Sequence, residues 1–201
     1  DESLIGFDSG PGNCMLDEWA QKHNAMPFDH EGAWAASGLI CNELLNLFLA
    51  DPYFAAEPPK STGREYFNMN WLNKHLENAA ASRQENLTNA DVQATLLALT
   101  ASSIVNSLSP HVAGVSAIAV CGGGRLNSFM IQRISSLCQQ IYEKKILVAP
   151  TEQWGVDGDS LEAAAFAWLA YQRINALPGN LPSVTGARGT RILGAIYPGL
   201  H

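Results

Sequence analysis

Three observations predict an α/β fold with a largely parallel sheet. Two β-type runs, residues 115–120 and 145–149, alternate with segments whose apolar residues recur at helical spacing. The first run stops at Cys121-Gly122-Gly123-Gly124, and helical periodicity then resumes, the layout of a βα unit. A third run, Leu4-Ile5, leads to Asp8 and a glycine-rich turn, which predicts a strand ending in a carboxylate.

The helices follow in order. Residues 14–23 place Met15, Leu16 and Trp19 on one face of a short helix. Residues 33–50 carry Ala36, Leu39, Ile40, Leu44, Leu47 and Phe48 at three-to-four spacing, predicting one helix that Asp51-Pro52 ends. Residues 55–63 are a loop, with a short helix expected over 70–77. Thr88-Asn89-Ala90-Asp91 has the capping-box pattern and opens a long helix with Ala94, Leu97, Ala101, Ile104 and Leu108 on one face, closed by Pro110. Leu126, Met130, Ile134 and Leu137 predict another helix, and residues 159–174 the last strong one. The tail over 178–191 is rich in Gly, Pro and Ser.

The chain has 201 residues, 47% of them hydrophobic. At this size a domain buries roughly 70% of its unfolded surface, enough for one core without staples. One domain with a helical subdomain is expected. No apolar run reaches the ~18 residues of a membrane helix. A net charge of −7 with 12 Lys+Arg excludes the basic footprint of a nucleic-acid binder. Cys14, Cys41, Cys121 and Cys138 form no C-x-x-C pair, so reduced core thiols are expected, and the histidines show no metal-ligand spacing. No metal site is predicted. The start at Asp1, without Met and almost within a strand, predicts a part of a longer protein.

Four segments could carry chemistry. Asp8, beside Ser9-Gly10-Pro11-Gly12-Asn13, fits a general base or magnesium-associated carboxylate near phosphate-holding amides, and equally an Asx turn capping the next helix. Gly122, Gly123 and Gly124 let backbone lie against a nucleotide beside a helix N-terminus; a plain βα turn rarely needs three glycines. Asp157, Asp159 and Glu162 surround a helix start, where the spacing favours capping over substrate binding. Lys60-Ser61-Thr62-Gly63-Arg64-Glu65 offers a cation, hydroxyls and an Arg that grip an anion, or else a solvated loop with an Arg–Glu pair. Trp19, Trp34 and Trp168 fall in helical apolar patterns and are expected in the core, whereas Trp154 beside Gly155 is a pocket candidate.

These segments together resemble a known family. The matching wording includes Phe7-Asp8-Ser9-Gly10-Pro11-Gly12-Asn13, Asp51-Pro52-Tyr53-Phe54, Lys60-Ser61-Thr62-Gly63-Arg64-Glu65-Tyr66-Phe67 and Val120-Cys121-Gly122-Gly123-Gly124. It continues through the stretches 91–96, 161–169 and 180–186, so the likeness runs nearly end to end. In this order they resemble the C-terminal part of anhydro-N-acetylmuramic acid kinases.

The resemblance implies an actin-like ATPase fold, with this chain a ribonuclease-H-like lobe, a mixed sheet flanked by helices. Residues 1–201 would be the C-terminal lobe of a two-lobed kinase, about 25–90 a mainly helical insertion. The N-terminal lobe, with its own phosphate loop and sugar contacts, would be absent, leaving the fragment inactive alone. The implied reaction uses ATP, Mg²⁺ and water to open 1,6-anhydro-N-acetylmuramic acid and yield its 6-phosphate, in cytoplasmic peptidoglycan recycling. On this likeness Asp8 is the catalytic base and Glu162 a sugar contact, reversing the capping preference. Gly122, Gly123 and Gly124 lie on the nucleotide side, and Gly10, Gly12 and Asn13 form the second phosphate loop. Arg64 receives no definite role. The implied partners are the sugar, the other lobe and a second copy in a homodimer, with neither nucleic acid nor membrane. Two other readings stand beside this one: a non-catalytic nucleotide- or sugar-binding or dimerisation module, and an ordinary sugar kinase acting on a free hydroxyl.

Overall fold

The computed structural model describes residues 4–82 and 87–199. Its centre is a helix buried on nearly every side, α6 (Asn89–Ser107), packed by α1 (Cys14–Asn24), α2 (Ala33–Ser37), α3 (Asn42–Leu49) and α7 (Ser128–Tyr142). The remaining helices are α4 (Pro52–Ala55), α5 (Met69–Ser82), α8 (Leu161–Ile174) and α9 (Pro182–Thr185). Two strands, β1 (Ala117–Val120) and β2 (Leu147–Pro150), pair in parallel with Ala117 opposite Leu147 and Val120 opposite Pro150. The expected βα units are therefore present, but among the described residues the sheet has only these two strands.

The capping box forms as spelled: Thr88 Oγ1 accepts the Asp91 N–H at 3.1 Å, and Asp91 Oδ2 accepts the Thr88 N–H at 3.0 Å. The sequence pattern predicts one apolar face for α6, yet its polar residues are buried too. Small side chains at Ala94, Ala98 and Ala101 admit close neighbours, while Thr and Ser hydroxyls satisfy themselves on backbone carbonyls. Thr95 Oγ1 donates to the Asp91 carbonyl at 2.7 Å and accepts the Cys41 N–H at 3.0 Å.

Three expectations are corrected. The single helix over 33–50 is two, because Gly38 leaves the helical conformation and packs directly on the Ala90 carbonyl, where no Cβ fits. Its neighbour Leu39 gives its N–H to Asp91 at 2.7 Å, and Cys41 then caps α3 by accepting from the Leu44 N–H. Residues 4–9, expected as a strand, are irregular; Asp8 donates its N–H to the Lys60 carbonyl at 3.2 Å, and no neighbouring strand among the described residues offers a ladder. Trp168, expected in the core, is 52% exposed, because no residue of α8 is buried. Trp19 meets the expectation at 4% exposure, and Trp34 is half-buried.

Cys41 and Cys138 are buried, Cys14 half-buried and Cys121 exposed; among the described residues none forms a disulfide. Of the described residues, no helix is long and apolar enough to cross a membrane.

Asp51 organises the aromatic cluster below the site. Its carboxylate accepts the Tyr53 N–H (2.9 Å), the Tyr66 hydroxyl (2.7 Å) and the Trp71 indole N–H (2.9 Å). Burial disfavours its charge, but the bonds from Trp71, Tyr53 and Tyr66 outweigh that and hold its pKa below the ordinary carboxylate value. A folded-state pKa lowered in this way gives stability that is full above the unfolded value of about 3.9 and is lost as pH falls through the folded value. Asp51→Asn should accordingly unfold more easily than wild type at neutral pH. The gap should close in acid below about pH 4 in urea titrations taken across that range; an equal gap at all pH values would contradict this role.

Candidate active site

Asp8 is exposed and held from one side. Its Oδ2 accepts the Ser61 hydroxyl at 2.8 Å and the Thr62 N–H at 2.9 Å, and its carbonyl accepts the Tyr53 hydroxyl at 2.6 Å. Both of these side-chain bonds fall on Oδ2, not on Oδ1. This arrangement differs from an Asx turn, whose bonds go to the residues just after the aspartate. The segment beginning at Lys60, which the sequence offers as an anion grip or a solvated loop, holds a carboxylate of the chain itself, that of Asp8. Lys60 Nζ itself is spent on the Tyr53 and Phe54 carbonyls (3.1 and 3.4 Å) and lies 4.9 Å over the Tyr53 ring.

The turn after Asp8 is fixed by α6. Thr100 Oγ1 donates to the Gly12 carbonyl at 2.7 Å, and Gly10 lies so close to Ser103 that an added Cβ would sit 2.8 Å from its Oγ. Asn13 begins α1 without using its side chain as a cap. That side chain reaches the other glycine loop: a Cβ placed on Gly124 or Gly123 would lie 3.6 or 3.9 Å from Asn13 Nδ2. The two loops, about 110 residues apart in sequence, thus meet in space.

Gly122 has φ 64° and ψ −165°, a conformation essentially reserved for glycine, and nothing lies within 4 Å of where its Cβ would be. Backbone geometry, rather than space, demands glycine there. A cavity of about 300 Å³ opens beside the joined loops, lined by Asn13, Leu16, Asp17, Phe28, Gly123 and Leu126 among others. Burial raises the Asp17 pKa, with the Arg64 charge opposing and Asp29 adding to the rise. Arg64 therefore bears on the first turn of α1.

A second cavity, about 500 Å³, lies on the other side of the glycine loop, with Gly122, Gly123, Asp159 and Glu162 in its wall. Glu162, in the first turn of α8, is exposed, and Ser160 begins that helix without a side-chain cap. The turn just before the helix is held by Asp157, whose Oδ2 accepts the Ser160 hydroxyl at 2.6 Å and whose Oδ1 accepts the Asp159 N–H at 3.1 Å. These two bonds, the hydroxyl first, lower its pKa. Glu162 takes no part in these bonds and stands in the first turn, where its charge complements the helix dipole as the spacing suggested. Asp8 lines neither glycine-loop cavity. Trp154 is 43% exposed at the end of a short turn and lines neither of them either.

Sequence reasoning missed Ser61 and Thr62 as partners of Asp8, and it missed Arg125. Arg125 is 7% exposed and bonds Glu152 and Asp159, both at 2.7 Å. Its placement directly after the three glycines was the available signal. Among the described residues no three His, Cys, Asp or Glu side chains converge on a metal-sized point.

Comparison with known proteins places the whole chain in one family. The sequence model of the family described as anhydro-N-acetylmuramic acid kinase matches residues 1–199. Relatives bearing that name include one from Pseudomonas putida, 48% identical over 198 residues covering 98% of this chain and 52% of the relative. One from Pasteurella multocida is 49% identical, covering 98% of this chain and 50% of the relative. One from Coxiella burnetii is 46% identical, covering 99% and 50%. The chain spans about half the length of the curated relatives it matches, and that coverage does not confirm the C-terminal placement expected above. With a model match across 199 of its 201 residues, the chain belongs to the anhydro-N-acetylmuramic acid kinase family.

Proposed function

We propose that this chain carries part of the catalytic apparatus of an ATP-dependent kinase that opens 1,6-anhydro-N-acetylmuramic acid with water and phosphorylates it at O6. The observation that carries the reading is Asp8: an exposed carboxylate oriented through Oδ2 by Ser61 and Thr62, at the head of a loop that meets a second glycine loop. The whole activity is proposed for a protein of the relatives' full length, this chain alone being insufficient for turnover. A ribonuclease-H-like lobe, a cytoplasmic location, the peptidoglycan-recycling role and a homodimer belong to the same proposal.

Asp8 Oδ1 takes a proton from water as that water forms a bond to the anomeric carbon. The C1–O6 bond breaks, O6 bonds the γ-phosphorus of ATP, and ADP leaves. An anhydro sugar has no free O6 hydroxyl, so a base aimed at water rather than at sugar suits it. Gly10, Gly12 and Asn13 on one loop and Gly122, Gly123 and Gly124 on the other offer backbone to the phosphates and nucleoside. Glu162, in the wall of the cavity beside the glycine loop, faces the sugar. Mg²⁺, entering with the nucleotide, would supply charge neutralisation on the transferring phosphoryl group.

Steady-state ADP release with ATP, Mg²⁺ and the anhydro sugar tests the assignment in the full-length protein. Glu162→Ala should raise the sugar KM by about tenfold or more, as loss of a charge-assisted hydrogen bond would, and the ATP KM far less. Equal changes in both, tracking a lowered melting temperature, would return Glu162 to a stability role.

A further inference from the structure

Arg125 touches both walls of the Glu162 cavity at once. Its Nη1 donates to the Gly122 carbonyl at 3.1 Å, inside the glycine loop. Its Nε reaches Glu152 Oε1 at 2.7 Å, and Nη2 reaches Asp159 Oδ1 at 2.7 Å. Glu152 Oε1 also accepts the Gly158 N–H at 3.2 Å. Gly158 lies flat on the guanidinium stem, where an added Cβ would stand 2.5 Å from Cδ and Nε. The planar fork therefore joins three pieces of chain: the glycine loop, the turn after β2, and the segment that starts α8.

A buried arginine next to a nucleotide loop invites reading as a phosphate ligand. The geometry points elsewhere, because two carboxylates already neutralise the guanidinium and three of its nitrogens are occupied. Hydrogen bonds to Glu152 first and Asp159 second raise its pKa, and the same bond to Arg125 lowers that of Glu152. Asp159 stands three residues before Glu162, so whatever shifts Asp159 shifts the first turn of α8.

We propose that Arg125 is a positioning residue that locks the glycine loop to the start of α8, so that nucleotide and sugar bind interdependently. This rests on the kinase reading for the identity of the two ligands. It requires no contact between Arg125 and either of them.

The test uses the full-length protein, the β,γ-imido analogue of ATP and the anhydro sugar, with Asp159→Asn, whose exposed side chain can be changed without opening the core. In wild type, saturating sugar should tighten the analogue's Kd by about 5- to 150-fold in calorimetry. In Asp159→Asn that factor should fall toward one while both ligands still bind. Gly158→Ala, which displaces the guanidinium, should do the same. An unchanged coupling factor in both variants would overturn the proposal. If wild type binds neither ligand, the kinase reading has failed, and hydrogen exchange decides the clamp separately. Asp159→Asn should then speed exchange in residues 121–126 and 158–165 together, whereas a change confined to one segment would overturn it.

Discussion

Asp8→Asn lowers turnover of the full-length protein by about 10²- to 10⁴-fold while nucleotide affinity stays near wild type. The asparagine is nearly isosteric and still accepts the Ser61 hydroxyl and Thr62 N–H that orient Oδ2, so the loop geometry survives. What disappears is the ability of the side chain to take a proton from water. Single-turnover measurements with saturating ATP and sugar isolate this step from binding. Activity close to wild type would remove Asp8 from the chemistry. Loss of nucleotide affinity in step with turnover would make it a loop anchor instead. Ser61→Ala gives an independent check, because it loosens Asp8 without altering its charge.

Phe67→Ala destabilises the protein by about 3–5 kcal/mol, the cost of emptying a fully enclosed aromatic site. Phe67 is 0% exposed and lies at the hub of a ring cluster: Tyr53 at 5.4 Å edge-on, Tyr66 at 5.0 Å, Trp71 at 5.1 Å and Phe54 at 5.7 Å. The effect reaches the site because Tyr53 holds the Asp8 carbonyl and offers its ring to Lys60. Urea unfolding should report the stability loss, and turnover in the folded variant should drop as the 60–62 cradle loosens. Phe67→Leu, which refills most of the volume, should recover the larger part of both. A cost below about 1 kcal/mol for the alanine variant would mean that the cluster collapses around the gap, contrary to the packing described.

The parts of the fold legible in sequence were those written in local chemistry. Thr88 and Asp91 announced their capping box, and the three glycines after Val120 announced a βα turn with special backbone, which Gly122 at φ 64° requires. The parts not legible depend on partners distant in the chain. Nothing near Gly38 says that its backbone must rest on Ala90, fifty-two residues on, so the helical spacing over 33–50 read as continuous. Leu4 and Ile5 have strand composition, but a strand exists only where a neighbour accepts its hydrogen bonds. Trp168 sits in a helical apolar pattern, and periodicity cannot show that α8 finds no cover among the described residues.

At the site the same division holds. Asp8, Asn13, the two glycine loops and Glu162 could be singled out by residue type and by the likeness to a family. Their mutual arrangement could not. Ser61 and Thr62 looked like members of an anion-binding loop because their hydroxyls and amides have no preferred target in sequence; the fold turns them onto Asp8. Spacing favoured Glu162 as the helix cap because an acid in a first turn is stabilised by the helix dipole. The hydrogen bonds that order the turn before the helix go to Asp157 instead, which a one-dimensional pattern with three acids in six residues does not distinguish.

The most direct measurement is the mass of the product formed by the full-length protein from 1,6-anhydro-N-acetylmuramic acid, ATP and Mg²⁺. A sugar that gains one phosphoryl group together with one water is the predicted result, because ring opening by an Asp8-activated water and phosphorylation of the freed O6 are then one reaction. A sugar that gains the phosphoryl group alone would contradict it and mark an ordinary hydroxyl kinase.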